Sequence, residues 1–127
     1  MNENDVATIV VDCAYQIHTK TGPGMFESVY ECILEKYLKD RELNVERQVI
    51  MPAEFEGIKL DRVFVADMVI NNSVIIELKS KSHLNDTDKK QLLTYLKLSG
   101  YKLGLLINFG DRLIKDGIRR IINGTIE

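Results

Sequence analysis

Apolar residues recur at helical spacing in the first third of the chain and then change period. Val6, Ile9, Val10, Cys13 and Ile17 share one helical face and predict a helix over residues 5–19. Thr21-Gly22-Pro23-Gly24 ends it, because glycine and proline continue a helix poorly. A second helix over residues 26–41 would bury Val29, Ile33, Leu34, Tyr37 and Leu38 along one stripe. From Asn44 the period becomes two: Val45, Arg47, Val49 and Met51 alternate with Glu46, Gln48 and Ile50, which reads as a strand to about Phe55. Glu56-Gly57 turns the chain into a second strand over residues 58–70. Asn71-Asn72-Ser73 turns it again, since asparagine tolerates left-handed backbone angles. The third strand, residues 74–79, opens with a β-branched run that implies burial. Asn85, Asp86 and Thr87 offer an N-cap for a helix ending near Ser99-Gly100. Residues 103–109 (LGLLINF) form a fully apolar strand of central character, and residues 118–122 a short β-like stretch after Asp116-Gly117. The order α-α-β-β-β-α-β-(β) indicates a layered α/β fold.

Composition narrows the class without naming a function. A chain of 127 residues fits one domain spanning residues 1–127. Its 45% hydrophobic and 28% charged content is that of a soluble globular protein. No apolar run is long enough to span a membrane, and no secretory leader is visible, so the cytoplasm is the expected compartment. Cys13 and Cys32 lie in helical segments without metal-ligand spacing and are expected to be reduced core residues. The net charge of −2 argues against indiscriminate attachment to nucleic acid, but the two halves differ. Residues 1–60 carry 6 Lys+Arg against 11 Asp+Glu, whereas residues 61–127 carry 11 against 8. A modestly basic second half suits a phosphate-containing ligand, although ordinary solvated surface would look the same.

The chemistry concentrates at the end of the third strand, Val74-Ile75-Ile76-Glu77-Leu78-Lys79. Glu77 and Lys79 are two residues apart and therefore share a sheet face. Alone, such a pair is as easily a sheet-end ion pair. Asp67 in the preceding strand changes the picture. If Asn71-Asn72-Ser73 closes the hairpin as a three-residue loop, Ile70 faces Val74 and Asp67 lies opposite Glu77. A strict two-residue Asn71-Asn72 turn would pair Asp67 with Ile76 and send Glu77 to the other face. Two facing carboxylates repel and call for a cation between them. Hard oxygen ligands favour Mg²⁺ or Mn²⁺, and a lysine alongside can hold an attacking water or steady developing phosphorane charge. Metal-assisted phosphodiester hydrolysis is the reaction that such groups serve.

These residues carry a resemblance. Asp67 followed by Glu77-Leu78-Lys79 resembles the D-x(n)-E-x-K signature of the PD-(D/E)XK nuclease superfamily. Gly24-Met25-Phe26-Glu27-Ser28-Val29-Tyr30 is similar to the motif of the GxxExxY family within it. Gln91-Leu92-Leu93-Thr94-Tyr95 is similar to the Q-x-x-x-Y element of RecB-like nucleases. The three motifs occur in the family order and cover about residues 22–110. Ala66 stands where the literal signature has proline, a position without a chemical role. The resemblance implies a restriction-endonuclease-like αβββαβ core, a central mixed β-sheet flanked by helices. It implies Asp67, Glu77, the carbonyl of Leu78 and Glu27 as ligands of Mg²⁺ or Mn²⁺, and Lys79 as the catalytic lysine. Gln91 would steady Lys79 or a phosphate, and Tyr95 would support the site or contact substrate. The implied activity is divalent-metal-dependent hydrolysis of phosphodiester bonds in nucleic acid, DNA foremost.

Plainer readings stand beside these. Glu27 also fits a first-turn acid favoured by the helix dipole, Gln91 a solvated helix position and Tyr95 simple packing. Tyr30 is expected in the core or behind the site, and Gly24 frees the backbone after Pro23. Lys81, Lys89 and Lys90 cluster near the expected mouth as phosphate contacts or as solvated charges, with Arg119 and Arg120 weaker candidates. His18 and His83 have no partner at ligand spacing and are expected at the surface or at caps. A homodimer or a partner protein would supply what so short a chain lacks in specificity. The alternative function is an inactive nuclease-fold module that binds nucleic acid or a protein. A purely structural α/β protein would place Asp67 and Glu77 on opposite faces.

Overall fold

A computed structural model describes residues 1–126. Helix α1 (Glu3–Thr21) opens with a capping box, in which the Asn2 side chain accepts from the Asp5 N–H and Asp5 returns the bond. Gly22 closes it at φ 65°, an angle that glycine adopts without strain. Helix α2 (Glu27–Asp40) follows, then strands β1 (Val45–Phe55), β2 (Ile58–Ile70) and β3 (Val74–Lys79). Helix α3 (Asp86–Ser99) repeats the capping box with Asn85 and Asp88, and ends at Gly100 in the left-handed region. Strand β4 (Leu103–Asn108), a 3₁₀ turn (Ile114–Asp116) and β5 (Ile118–Ile122) complete the chain.

The five strands lie in sequence order, β1-β2-β3-β4-β5, and only β3 and β4 run parallel. A parallel pair needs a crossover, and α3 supplies it. This is the expected αβββαβ core with a central mixed sheet, extended by α1 in front and β5 behind. Helices cover both faces. Val10, Ile17, Tyr30 and Leu34 of α1 and α2 pack on Val74, Ile76, Leu78, Leu105 and Ile107. Leu92 and Leu96 of α3 pack on the opposite face with Ile75 and Leu106. No helix among the described residues is long and apolar enough to cross a membrane.

Three details depart from the expected pattern. The buried stripe of α2 is Tyr30, Glu31, Leu34 and Leu38, so Val29 is exposed; the helix is rotated to bring Tyr30 onto Phe109, 4.3 Å between ring centroids. Cys13 is buried but Cys32 is exposed, because the same rotation turns Cys32 outward. His18 is buried rather than superficial, since its Nε2 meets the Asp111 carbonyl at 2.9 Å beside Phe109.

The β1–β2 ribbon also breaks its alternation. Val45, Met68 and Ile70 pack with α1 and α2, whereas Val49, Met51, Phe64 and Ala66 pack with α3. Residues of one parity thus change face between Arg47 and Val49 on β1, and between Met68 and Ala66 on β2. Gln48, at φ 51°, sits at that point, unpaired between Arg47↔Met68 and Val49↔Ala66, while the register itself shifts only between Met51 and Ala53. Only Met68, Val69 and Ile70 of β2 pair with β3. Beyond them the ribbon leaves the sheet and folds over α3.

Candidate active site

Asn71 and Asn72 both take positive φ, 52° and 53°, and the Ser73 N–H donates to the Ile70 carbonyl. Ser73 adds the residue that makes the loop odd, and Ile70 pairs with Val74. The pairing ends at Met68↔Ile76, and the next residues along that register, Asp67 and Glu77, meet through the Asp67 N–H and Glu77 Oε1. Ile75 faces α3, so Glu77 and Lys79 alternate onto the same side.

Asp67 stands where β2 parts from β3, and its carboxylate takes over the ladder. Its Oδ2 accepts the Leu78 N–H at 2.8 Å, and its own N–H donates to Glu77 Oε1 at 3.4 Å. Burial and the charge of Asp67 push the Glu77 carboxyl up to about 8, against the opposing pull of Lys79. The donor set here is hard oxygen with mutual repulsion, which fits a divalent cation.

The other anticipated residues divide. Tyr95 stacks on Phe64, centroids 3.9 Å apart and rings parallel within 2°, and Gln91 hydrogen-bonds to it. Burial and the nearby Glu77 charge raise the Tyr95 hydroxyl, so this helix face borders the acids. Gln91 itself is exposed. Lys81 is paired with Asp88 at 2.5 Å and Lys89 with Asp86 at 3.6 Å; Lys90 is exposed and makes no ion pair with the described residues. Glu27 is exposed at the first position of α2, and no hydrogen bond or ion pair joins it to Asp67 or Glu77. Among the described residues no group of three His, Cys, Asp or Glu side chains is placed to hold a metal ion. Tyr30 is fully buried, and its hydroxyl donates to the Gly22 carbonyl at 2.6 Å. It thereby shapes the loop in which Gly24 sits at φ 116°. Ser80 Oγ donates to the Met25 carbonyl at 2.5 Å, which ties that loop to the end of β3.

The acid of α2 that reaches the site is Glu31, one turn beyond Glu27. It is 5% exposed, and Arg47 Nη2 pairs with it at 2.8 Å. Gln48 Nε2 donates to Glu31 at 2.8 Å and to Asp67 Oδ1 at 3.4 Å. Behind Lys79 stands Asn108, fully buried, whose amide bonds the Lys81 N–H and carbonyl, the Gly110 N–H and Asp111. A charged residue inside the apolar stripe of α2, and a lone asparagine ending an apolar strand, were the available signals for Glu31 and Asn108. Gln48 had none.

The family comparison bears on this geometry. The model of the PD-(D/E)XK nuclease superfamily matches residues 4–121. The chain belongs to the PD-(D/E)XK nuclease superfamily. Its mixed, helix-flanked sheet is accordingly restriction-endonuclease-like, and membership points to metal-dependent phosphodiester hydrolysis on nucleic acid. Neither a comparison with curated proteins nor one with solved structures returns a match. In this PD-(D/E)XK chain, the carboxylates of Asp67 and Glu77 come together where β2 and β3 diverge.

Proposed function

We propose that the chain is a Mg²⁺- or Mn²⁺-dependent nuclease that hydrolyses phosphodiester bonds in DNA. The observation that carries this reading is the contact of Asp67 with Glu77 and with the Leu78 N–H just beyond the last β2–β3 pair, with Lys79 two residues after Glu77 on β3. Asp67, Glu77 and the Leu78 carbonyl would hold the cation, which would supply Lewis acidity and charge neutralisation at a scissile phosphate. Lys79 orients the attacking water and offsets the negative charge that grows on the phosphoryl oxygens. Glu27 approaches from α2 through solvent, Gln91 and Tyr95 support the face beside Lys79, and Lys81, Lys89 and Lys90 meet the backbone phosphates. The GxxExxY and QxxxY resemblances agree with these assignments. A second copy or a partner protein would extend the short substrate surface.

One observation favours a second reading, a module that binds nucleic acid or a partner without cutting: Glu31, the α2 acid linked to Asp67 through Gln48, is committed to Arg47. Cleavage assays separate the two. Single-stranded, duplex and branched DNA incubated with Mg²⁺ or Mn²⁺ should be cut, and Lys79→Ala should abolish cutting while the fold is retained. Failure to cut any of these substrates would sink the nuclease reading.

A further inference from the structure

Gln48 is an unusual residue for its backbone. At φ 51° in mid-strand it holds a left-handed conformation that glycine or asparagine adopts more readily. The turn of the ribbon alone asks for one of those; a glutamine needs a use for its side chain. That side chain lies between two carboxylates from different elements, Glu31 of α2 and Asp67 of β2.

Each partner is occupied in a way that makes the bridge directional. Glu31 Oε2 is held by Arg47, whose Nε donates at 2.9 Å, so its charge is matched and its position is set within the core of α2. Its free oxygen, Oε1, takes the Gln48 amide at 2.8 Å. The second N–H of that amide points to Asp67 Oδ1, while Asp67 Oδ2 is held by the Leu78 N–H. Asp67 is therefore gripped at both oxygens, from β3 on one side and from α2 through Gln48 on the other. A carboxylate fixed in this way keeps one orientation with or without a cation, and outer-sphere partners of this kind set metal affinity.

We propose that Gln48 is a positioning residue for Asp67, with its amide anchored on the Arg47-paired Glu31 so that the Asp67 carboxylate is aimed at the space it shares with Glu77. This rests on the reading of Asp67 as a metal ligand. Two variants separate side chain from backbone. Gln48→Gly keeps the left-handed angle without an amide, and Gln48→Asn keeps the angle with an amide one methylene too short to span both acids. Mn²⁺ affinity is read from loss of the free-ion EPR signal, and the metal-free melting temperature from circular dichroism. Both variants should melt near the unsubstituted chain and bind Mn²⁺ about tenfold or more weakly. Unchanged Mn²⁺ affinity in either variant, or a melting temperature that falls in step with affinity, overturns the proposal. If the unsubstituted chain binds no Mn²⁺, or Asp67→Ala binds it equally well, the metal-site reading itself fails.

Discussion

Glu77 is a carboxyl whose environment favours the proton, and its sign of action on stability follows from that. Burial comes first and the Asp67 charge second in raising it from an ordinary 4.5 to about 8. Below about pH 4.5 folded and unfolded chains both hold the proton, and the group costs nothing. Between 4.5 and 8 only the folded chain holds it, so folding takes up a proton and stability falls as pH rises. The full cost, of the order of 5 kcal/mol, is reached above pH 8 without metal. Glu77→Gln removes the titration. Relative to the unsubstituted chain it should gain stability steadily as the pH is raised from 5 to 8 in EDTA, as urea unfolding would register. The difference should reverse with Mn²⁺ present, since the cation rewards the charged form. A difference that stays flat with pH would mean that Glu77 is already ionised and solvated.

At the scale of elements, the end of β3 is held by its neighbour β4 rather than by itself. Asn108 makes four hydrogen bonds to the segment after Lys79 and to the β4 exit, and all are buried or partly so. Gly110 completes the clamp, because a Cβ there would lie 2.1 Å from the Lys81 carbonyl oxygen. Asn108→Ala strands several backbone groups and should cost about 3 kcal/mol, while Gly110→Ala must displace the Lys81 backbone. Both should lower the urea midpoint and reduce cleavage together, whereas Lys79→Ala should reduce cleavage alone. These anchors also mark how far the sequence could be read. Strand limits for β2, β3 and β5 and the N-cap of α3 were legible, because turn residues and alternation act locally. So was the odd register, since Asn71, Asn72 and Ser73 determine it within three positions. The face change at Gln48 was not, because glutamine carries no left-handed signal and the cause lies in packing against α3. Glu31 and Asn108 were marked only faintly, by a charge in an apolar stripe and an asparagine ending an apolar strand, because Arg47 and Gln48, which hold Glu31, and Lys81, which binds Asn108, are distant in the chain.

For the whole molecule, the question is how a chain of net charge −2 meets a polyanion. On the proposed reading a phosphate meets the charge of Asp67 beside a Glu77 that keeps its proton to about pH 8, and of Lys81, Lys89 and Lys90 two are paired, Lys81 with Asp88 and Lys89 with Asp86. Without metal the Asp67 charge therefore opposes a phosphate backbone in the proposed site, and association there depends on the cation as much as on the surface. Neutralising one acid should replace part of what the cation does. Asp67→Asn is expected to bind a DNA oligonucleotide more tightly than the unsubstituted chain in EDTA, by several-fold in fluorescence anisotropy, and to lose the tightening that Mn²⁺ gives. Lys90, which is exposed and outside any ion pair among the described residues, should act the other way. Lys90→Ala should weaken binding and reduce the slope of log affinity against log salt by about one, while Lys81→Ala should change the slope less because Lys81 is already matched by Asp88. Weaker metal-free binding by Asp67→Asn would show that the phosphate path lies away from the acids, along another face of the sheet.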